Sequence, residues 1–96
     1  MIEISQFRLA DGVEVDEFLM TNADFQQLFV YRQDGLLRRT VASGLDGDWV
    51  SITWWRSMND ARRSVVEAKS APVALEFNAL VDASSLKTLY FKELPG

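Results

Sequence analysis

The sequence predicts an α+β fold in which a four-stranded antiparallel sheet carries both main helices on one face. Three observations support this prediction. The chain has 96 residues, which is enough for one domain spanning 1–96 and too few for two. Four segments are strand-like, with β-formers or apolar residues at alternate positions. Two other segments repeat apolar residues at three- and four-residue spacing, as amphipathic helices do.

The first half of the chain contains a strand, a helix and a second strand. Residues 2–9 are rich in β-formers, but the apolar positions change face, which predicts a β-bulge near Ser5. From Val13 onward apolar residues return every three or four positions, which predicts a helix that ends before Gly35. Residues 36–43 are short and contain a β-branched pair, so they are predicted to form the second strand.

The second half repeats this order after a hairpin. Asp46-Gly47 is a hairpin signal, and Ser57 begins an S-x-x-D pattern that caps the start of a helix. The predicted elements are a strand over 49–56, a helix from about Met58 to Lys69, a short helix from Pro72 through Val81 and a strand over 86–94. The order βαββαβ is that of ferredoxin-like folds, which place both helices on one side of the sheet.

The composition excludes several kinds of chemistry. The chain has no Cys and no His, which excludes disulfides, thiolate nucleophiles, zinc fingers, catalytic triads and an imidazole acid or base. Only carboxylate, Lys, Tyr and Arg side chains remain for proton transfer. No metal site and no cofactor are expected.

Charge and hydropathy constrain the partners. Lys and Arg total 10 against 14 Asp and Glu, a formal net charge of -4, whereas phosphate binding needs a basic face. The pairs Arg38-Arg39 and Arg62-Arg63 are expected on the solvated surface. No apolar run reaches the roughly 18 residues that span a bilayer. We therefore expect neither nucleic acid nor membrane as a partner, and a cytoplasmic location.

The predicted sheet has an uncovered face. Apolar or aromatic residues lie on both faces of the third and fourth strands, and the helices cover only one of them. A second copy of the chain would cover the other face. The sequence therefore predicts a homodimer that packs through this face.

Five residues are candidates for ligand binding. Ser51, Thr53 and Trp55 share one strand face, and Tyr90 lies near them in the usual strand order. Such hydroxyl and aromatic groups can line a site for a small aromatic ligand, although core packing or a dimer interface would also use them. Asn22 lies in the apolar stripe of the first helix, so its amide either joins a local hydrogen-bond network or points into a cavity.

Other conspicuous residues have structural interpretations. Trp54 shares an apolar face with Val50 and Ile52 and is predicted to pack in the core. Asp46 and Asp48 flank a glycine, but the twelfth position of a calcium loop beginning there would be a serine, so a hairpin turn is predicted.

On these motifs the chain resembles the dimeric α/β-barrel superfamily, which includes the antibiotic-biosynthesis monooxygenases. The resemblance spans nearly the whole chain and rests on loose motifs, namely Phe7-Arg8-Leu9 with Gly12 and Phe18, Asp46-Gly47-Asp48-Trp49, Trp55-Arg56-Ser57 with Asp60-Ala61, and Val81-Asp82. It implies a barrel shared by two protomers and a ligand cavity between the sheet and the helices of each.

The resemblance also separates branches of the superfamily. The haem-degrading branch uses an Asn on the first strand, a Trp in the second main helix and a His near the end of that helix. Here Phe7 and Ser64 take the first two positions and no His exists, so haem degradation is not expected. Cofactor-free, quinone-forming oxygenases of the superfamily use Asn, Trp, Tyr and Arg around a phenolic substrate, and those residue types occur here.

Three functions follow as hypotheses. The first is a homodimer that binds a small apolar or aromatic metabolite, or is purely structural, with no assignable reaction and no assigned catalytic residue. The alternative is a cofactor-independent monooxygenase or isomerase acting on a phenolic or quinone-like substrate, in which Asn22 or Tyr90 binds a substrate oxygen near Trp55. The third is a protein-interaction module.

Overall fold

The computed structural model describes all 96 residues, and its elements follow the predicted order. They are β1 Ile2–Arg8, α1 Val15–Leu28, β2 Leu36–Ser43, β3 Asp48–Trp55, α2 Met58–Ala68, α3 Pro72–Ala79 and β4 Lys87–Phe91, with short 3₁₀ turns at Val30–Arg32 and Ala83–Ser85. The strands form one antiparallel sheet in the order β2-β3-β1-β4. The predicted α+β, ferredoxin-like fold is confirmed.

The predicted bulge in β1 is wrong. β1 pairs with β3 in unbroken register from Ile2 to Arg8, and the irregular pairing lies in β2 between Leu36 and Arg38. The apparent change of face arises because Glu3 and Ser5 occupy helix-facing positions where apolar residues would be expected. These two polar residues line a cavity, which explains why the hydrophobic alternation is interrupted without any backbone irregularity.

Two elements are shorter than predicted. α1 ends at Leu28 and gives way to a 3₁₀ turn, whereas the periodicity favoured a helix up to Gly35. β4 ends at Phe91 because its ladder to β1 runs out at Ile2. The predicted start of α2 is confirmed, since the Ser57 hydroxyl accepts a hydrogen bond from the Asp60 amide at 3.2 Å.

The main core occupies one end of the layer between the sheet and the helices. Phe7 of β1, Phe18 of α1 and Phe77 of α3 form it, and Phe18 is fully buried. The Phe18 ring centroid lies 5.9 Å from that of Phe7, 5.5 Å from that of Phe77 and 4.7 Å from the ring of Trp49. This aromatic packing fixes the helices on the sheet at that end. A second buried cluster consists of Phe29, Val30 and Ala74.

The opposite face of the sheet carries no helix and is called the open face below. Its side chains alternate with the helix-facing ones and include Ile2, Ile4, Val50, Ile52, Trp54, Leu89 and Phe91. Trp54 shares this face with Val50 and Ile52 as predicted, but it does not pack in the core, because no helix covers the face. Its ring is half-buried and has the Arg38 guanidinium 5.0 Å from its centroid.

The connection between β2 and β3 is a hairpin turn, as predicted at Asp46-Gly47. Gly47 has a φ of +80° in the turn between β2 and β3, and Asp48 pairs with Arg8. Arg8 also donates to the Asp46 carbonyl at 2.8 Å, so this segment is a braced hairpin. None of the helices combines the length and the hydropathy that a membrane crossing requires.

Candidate functional site

A cavity of about 620 Å³ lies between the helix-facing side of the sheet and the three helices, and we call it the sheet–helix cavity. Its volume falls within the roughly 300–1,000 Å³ typical of small-molecule sites. The aromatic side chains Phe25, Phe29, Phe77 and Trp55 are among its walls. The rings of Phe25 and Phe77 are stacked with centroids 4.5 Å apart, so part of the wall is a packed aromatic pair.

The floor of the cavity is a row of polar side chains that crosses the whole sheet. Tyr90 of β4 faces Glu3 of β1, Glu3 faces Thr53 of β3, and Thr53 faces Arg39 of β2. All four line the cavity. Because strand neighbours are about 4.8 Å apart, the backbones of Glu3 and Arg39 are about 10 Å apart, with Thr53 between them.

A second polar row lies beside the first. Thr88, Ser5 and Ser51 are register partners on β4, β1 and β3, and all three line the cavity. The hydroxyls of Ser5 and Thr88 are hydrogen-bonded at 3.0 Å. The floor therefore offers several hydroxyl groups beneath aromatic walls, which is the usual composition of a site for a small, partly polar molecule.

Arg39 is a buried cation at one end of the first row. The residue is 7% exposed, and its Nη1 donates to Asn22 Oδ1 at 2.8 Å and to Gln26 Oε1 at 3.0 Å. Its Cζ lies 5.2 Å from the ring centroid of Phe25 and 5.6 Å from that of Phe77. Amide oxygens and aromatic faces hold the guanidinium in place without neutralising it.

Burial shifts the ionisation of Arg39 without discharging it. Loss of hydration lowers the pKa of the guanidinium to about 10, opposed by attraction to Tyr31 and Glu3. A group with that pKa is still protonated at neutral pH. The cavity therefore has a permanent positive charge at its β2 end.

Glu3 and Tyr90 form the other end of the row. The Trp55 indole Nε1 donates to Glu3 Oε1 at 2.8 Å, and the Tyr90 hydroxyl donates to Glu3 Oε2 at 3.3 Å. Partial burial raises the pKa of the Tyr90 phenol, and the nearby Glu3 carboxylate contributes to the same direction. Tyr90 thus stays a neutral hydrogen-bond donor.

The structure brings together four of the five predicted ligand-binding residues. Ser51, Thr53, Trp55 and Tyr90 all line the sheet–helix cavity. Asn22 belongs to the hydrogen-bond network that holds Arg39, which is the first of its two predicted interpretations. Asn22 does not line the cavity and contacts it only through Arg39.

Sequence reasoning missed Arg39 and Glu3. The pair Arg38-Arg39 was expected on the solvated surface, and this is wrong for Arg39, because adjacent residues of a strand point to opposite faces. The sequence did contain a sign that Arg39 is covered. Arg39 and the apolar residue Val41 are two positions apart, so they share one face of a β-strand. Glu3 left a weaker signal, namely the interruption of the apolar alternation in β1.

A second cavity of about 470 Å³ lies at the hairpin end of the sheet, near Arg8, Asp48 and Lys87. Only three of its ten lining residues are hydrophobic, and Arg8 and Asp48 already pair there. It lacks the apolar wall that binds an organic molecule, so the sheet–helix cavity is the stronger candidate.

Known proteins resemble this chain in fold but not in sequence. No protein-family model matches the chain, and no curated protein sequence matches it. The fold is shared with solved structures described as antibiotic biosynthesis monooxygenases, as the resemblance predicted.

Three solved structures show how complete the similarity of fold is. A mutant of SnoaB, a cofactor-independent oxygenase from Streptomyces nogalater, is 22% identical over 99% of this chain and 93% of its own, with a TM-score of 0.77. A putative antibiotic biosynthesis monooxygenase from Bacteroides thetaiotaomicron is 9% identical over 99% and 90%, with a TM-score of 0.71. Another antibiotic biosynthesis monooxygenase is 12% identical over 99% and 100%, with a TM-score of 0.67. Such identities establish a shared fold, and function has to be argued from the site.

Proposed function

We propose that the protein binds a small aromatic molecule in the sheet–helix cavity. The observation that carries this proposal is the cavity itself, about 620 Å³ in volume, with stacked aromatic walls above a floor of hydroxyl and charged groups. A structural core would fill this volume, because protein interiors are packed to nearly crystalline density. The polar row oriented beneath the aromatic walls would set the orientation of the ligand.

Binding is tested by calorimetric titration with 1-naphthol, a phenol with two fused aromatic rings. The adjacent residues Val65 and Val66 of α2 offer a matched pair, since Val65 lines the cavity and Val66 does not. Val65→Trp should fill the mouth of the cavity and weaken binding, whereas Val66→Trp should bind as the wild type does. Equal binding by both variants would contradict the assignment of the cavity.

The second candidate function is cofactor-independent oxygenation of a phenol. It is favoured by the similarity of fold to SnoaB, which is described as a cofactor-independent oxygenase. With 1-naphthol the reaction would consume one O₂, give 1,4-naphthoquinone and release one water. One oxygen atom enters the product as the new carbonyl, the other leaves as water, and the substrate supplies all four electrons. The aromatic walls would keep bulk water from the reacting ring.

An oxygen electrode and isotope labelling test this reaction. With ¹⁸O-labelled dioxygen, the oxygenase proposal expects one labelled atom in the quinone and one in water. No oxygen uptake in the presence of bound 1-naphthol would contradict the oxygenase proposal and leave the binding proposal standing.

We also propose that two copies pair through their open faces, as the sequence predicts. The support is the row of apolar side chains on that face, with Ile4 and Ile52 adjacent at its centre. Native mass spectrometry should give about 22 kDa, twice the 10.9 kDa of one chain. A monomer at micromolar concentration would contradict this proposal. The cytoplasmic location stays a prediction.

A further inference from the structure

Two charged side chains of this protein are buried, and they differ in whether a side chain of opposite charge pairs with them. Asp60 is 3% exposed and receives hydrogen bonds from Ser57 at 2.8 Å, Arg63 at 2.9 Å and Arg56 at 3.3 Å. It is thus paired with two cations. Arg39 is almost as deeply buried, but it forms no ion pair. Because a buried charge is costly unless it is paired, this difference needs an explanation.

The guanidinium of Arg39 also has unused donors. Both of its hydrogen bonds to protein leave from Nη1, so Nε and Nη2 have no protein partner. No buried side-chain nitrogen or oxygen is both inaccessible and unpaired, so these two nitrogens are accessible to solvent. Arg39 lines the sheet–helix cavity, where a ligand would reach them. Nε and Nη2 together form the edge of the guanidinium that binds an oxyanion in bidentate fashion.

The rest of the row defines the polarity of the cavity. The negative carboxylate of Glu3 stands at the other end, about 10 Å from Arg39 in backbone separation, and is already bound by Trp55 and Tyr90. An anion would be repelled there and attracted to Arg39. Thr53 lies between the two ends, and the stacked rings of Phe25 and Phe77 pack against the Arg39 guanidinium. An aromatic ring bound over Thr53 would therefore lie beside other aromatic rings.

We infer that the sheet–helix cavity selects aromatic molecules that carry a carboxylate, and that Arg39 binds the two carboxylate oxygens through Nε and Nη2. This inference rests on the proposed binding function and adds the charge and the orientation of the ligand. Asn22 and Gln26 are positioning residues in this scheme, since they hold Nη1 and thereby aim the free edge of the guanidinium at the ligand.

The test compares two probes with the same ring system and different charge. 2-Naphthoate is an anion at neutral pH, and 2-naphthalenemethanol is its neutral counterpart. The wild type should bind the anion about tenfold to a hundredfold more tightly, which is the contribution expected of a hydrogen bond to a charged group. Equal affinity for the two probes in the wild type would overturn the inference and leave the binding function intact. This comparison uses only the wild-type protein, so it does not depend on whether a variant folds.

Variants then assign the preference to Arg39. Arg39→Gln should bind both probes with similar affinity, and Arg39→Lys should keep only part of the preference, because an ammonium lacks the bidentate edge. Arg38→Gln removes the same charge from the neighbouring position on the open face and should bind as the wild type does. If folded Arg39→Gln retained the full preference, the inference would be wrong. Binding of neither probe to the wild type would contradict the proposed function and this inference together.

Discussion

The two faces of the sheet are built from the same four strands but present opposite environments. Arg39 and Trp55 face the helices and are buried around the cavity, whereas their neighbours Arg38 and Trp54 lie on the open face, the first of them stacked on the second. The helix-facing floor is polar, and the open face is apolar at its centre. The environment of each side chain is therefore decided by its position in the alternation and much less by its residue type.

Around the cavity, the usual distribution of polar groups in a half-covered sheet is reversed. An antiparallel sheet normally directs apolar residues to its covered face and polar residues to water. Here Glu3, Ser5 and Arg39 occupy covered positions, and Ile4 and Ile52 occupy uncovered ones. A covered polar floor suits a ligand, and an uncovered apolar face suits a second copy of the chain.

The largest effect is expected from removing the centre of the covered core. Phe18→Ala should lower the free energy of unfolding by about 3–5 kcal/mol, because Phe18 is fully buried among other aromatic rings. Phe91→Ala on the open face, where the side chain is 49% exposed, should cost clearly less. Urea denaturation of both variants measures the difference. Equal losses would show that the two faces are equally important to the fold.

A charge at the centre of the open face should break the dimer. Ile52→Glu would bury an unpaired carboxylate between two sheets and should weaken self-association by about a hundredfold or more. Val66→Glu, on the exposed surface of α2, is the control and should leave self-association unchanged. Sedimentation velocity over a concentration series reports both. A dimer that survives Ile52→Glu would locate the interface elsewhere.

The two neighbouring tryptophans should respond differently to the same substitution. Trp55→Phe removes the indole hydrogen bond to the Glu3 carboxylate inside the cavity and should cost about 1.5–3 kcal/mol of stability. Trp54→Phe removes no such bond and should cost less in the dissociated chain. Thermal unfolding at low protein concentration measures both changes. A larger loss for Trp54 would contradict the placement of the two rings.

The smallest expected effect is the acid dependence due to Asp60. The hydrogen bond from Ser57, with those from Arg56 and Arg63, lowers the pKa of this carboxyl below its ordinary 3.8. Since the folded state binds the proton less tightly, the stabilisation is complete above 3.8 and is lost as the pH falls through the folded pKa. The melting temperature of Asp60→Asn should therefore fall less steeply than that of the wild type below this pH. Parallel slopes would contradict the role given to Asp60.

The sequence predicted the elements well because each has a strong local signal. Ser57 caps α2, Pro72 opens α3, and the alternation through Val50 and Ile52 defines β3. The end of α1 was less predictable, because the apolar spacing continues through Phe29 into a 3₁₀ turn. The sheet order depends on contacts between residues far apart in the chain, and only the resemblance to a known fold indicated it.

The candidate site was predictable only in part. Ser51, Thr53 and Trp55 lie on one strand, so their shared face follows from the alternation alone. Arg39 and Glu3 lie on other strands, and their place in the same row depends on the register of the sheet. Two adjacent arginines in an acidic chain are expected to be exposed to solvent. Only the knowledge that helices cover one face of their strand would predict that one of them is buried.

The most direct test of the whole account uses Trp54 and Trp55 as reporters of the two faces. ¹⁵N-labelled protein is titrated with 2-naphthoate, and the indole N–H resonances are assigned with the Trp54→Phe and Trp55→Phe variants. We expect the Trp55 signal to move as the ligand enters the cavity beside Glu3, while the Trp54 signal on the open face stays in place. Movement of Trp54 without movement of Trp55 would contradict the central claim that the covered face binds the ligand.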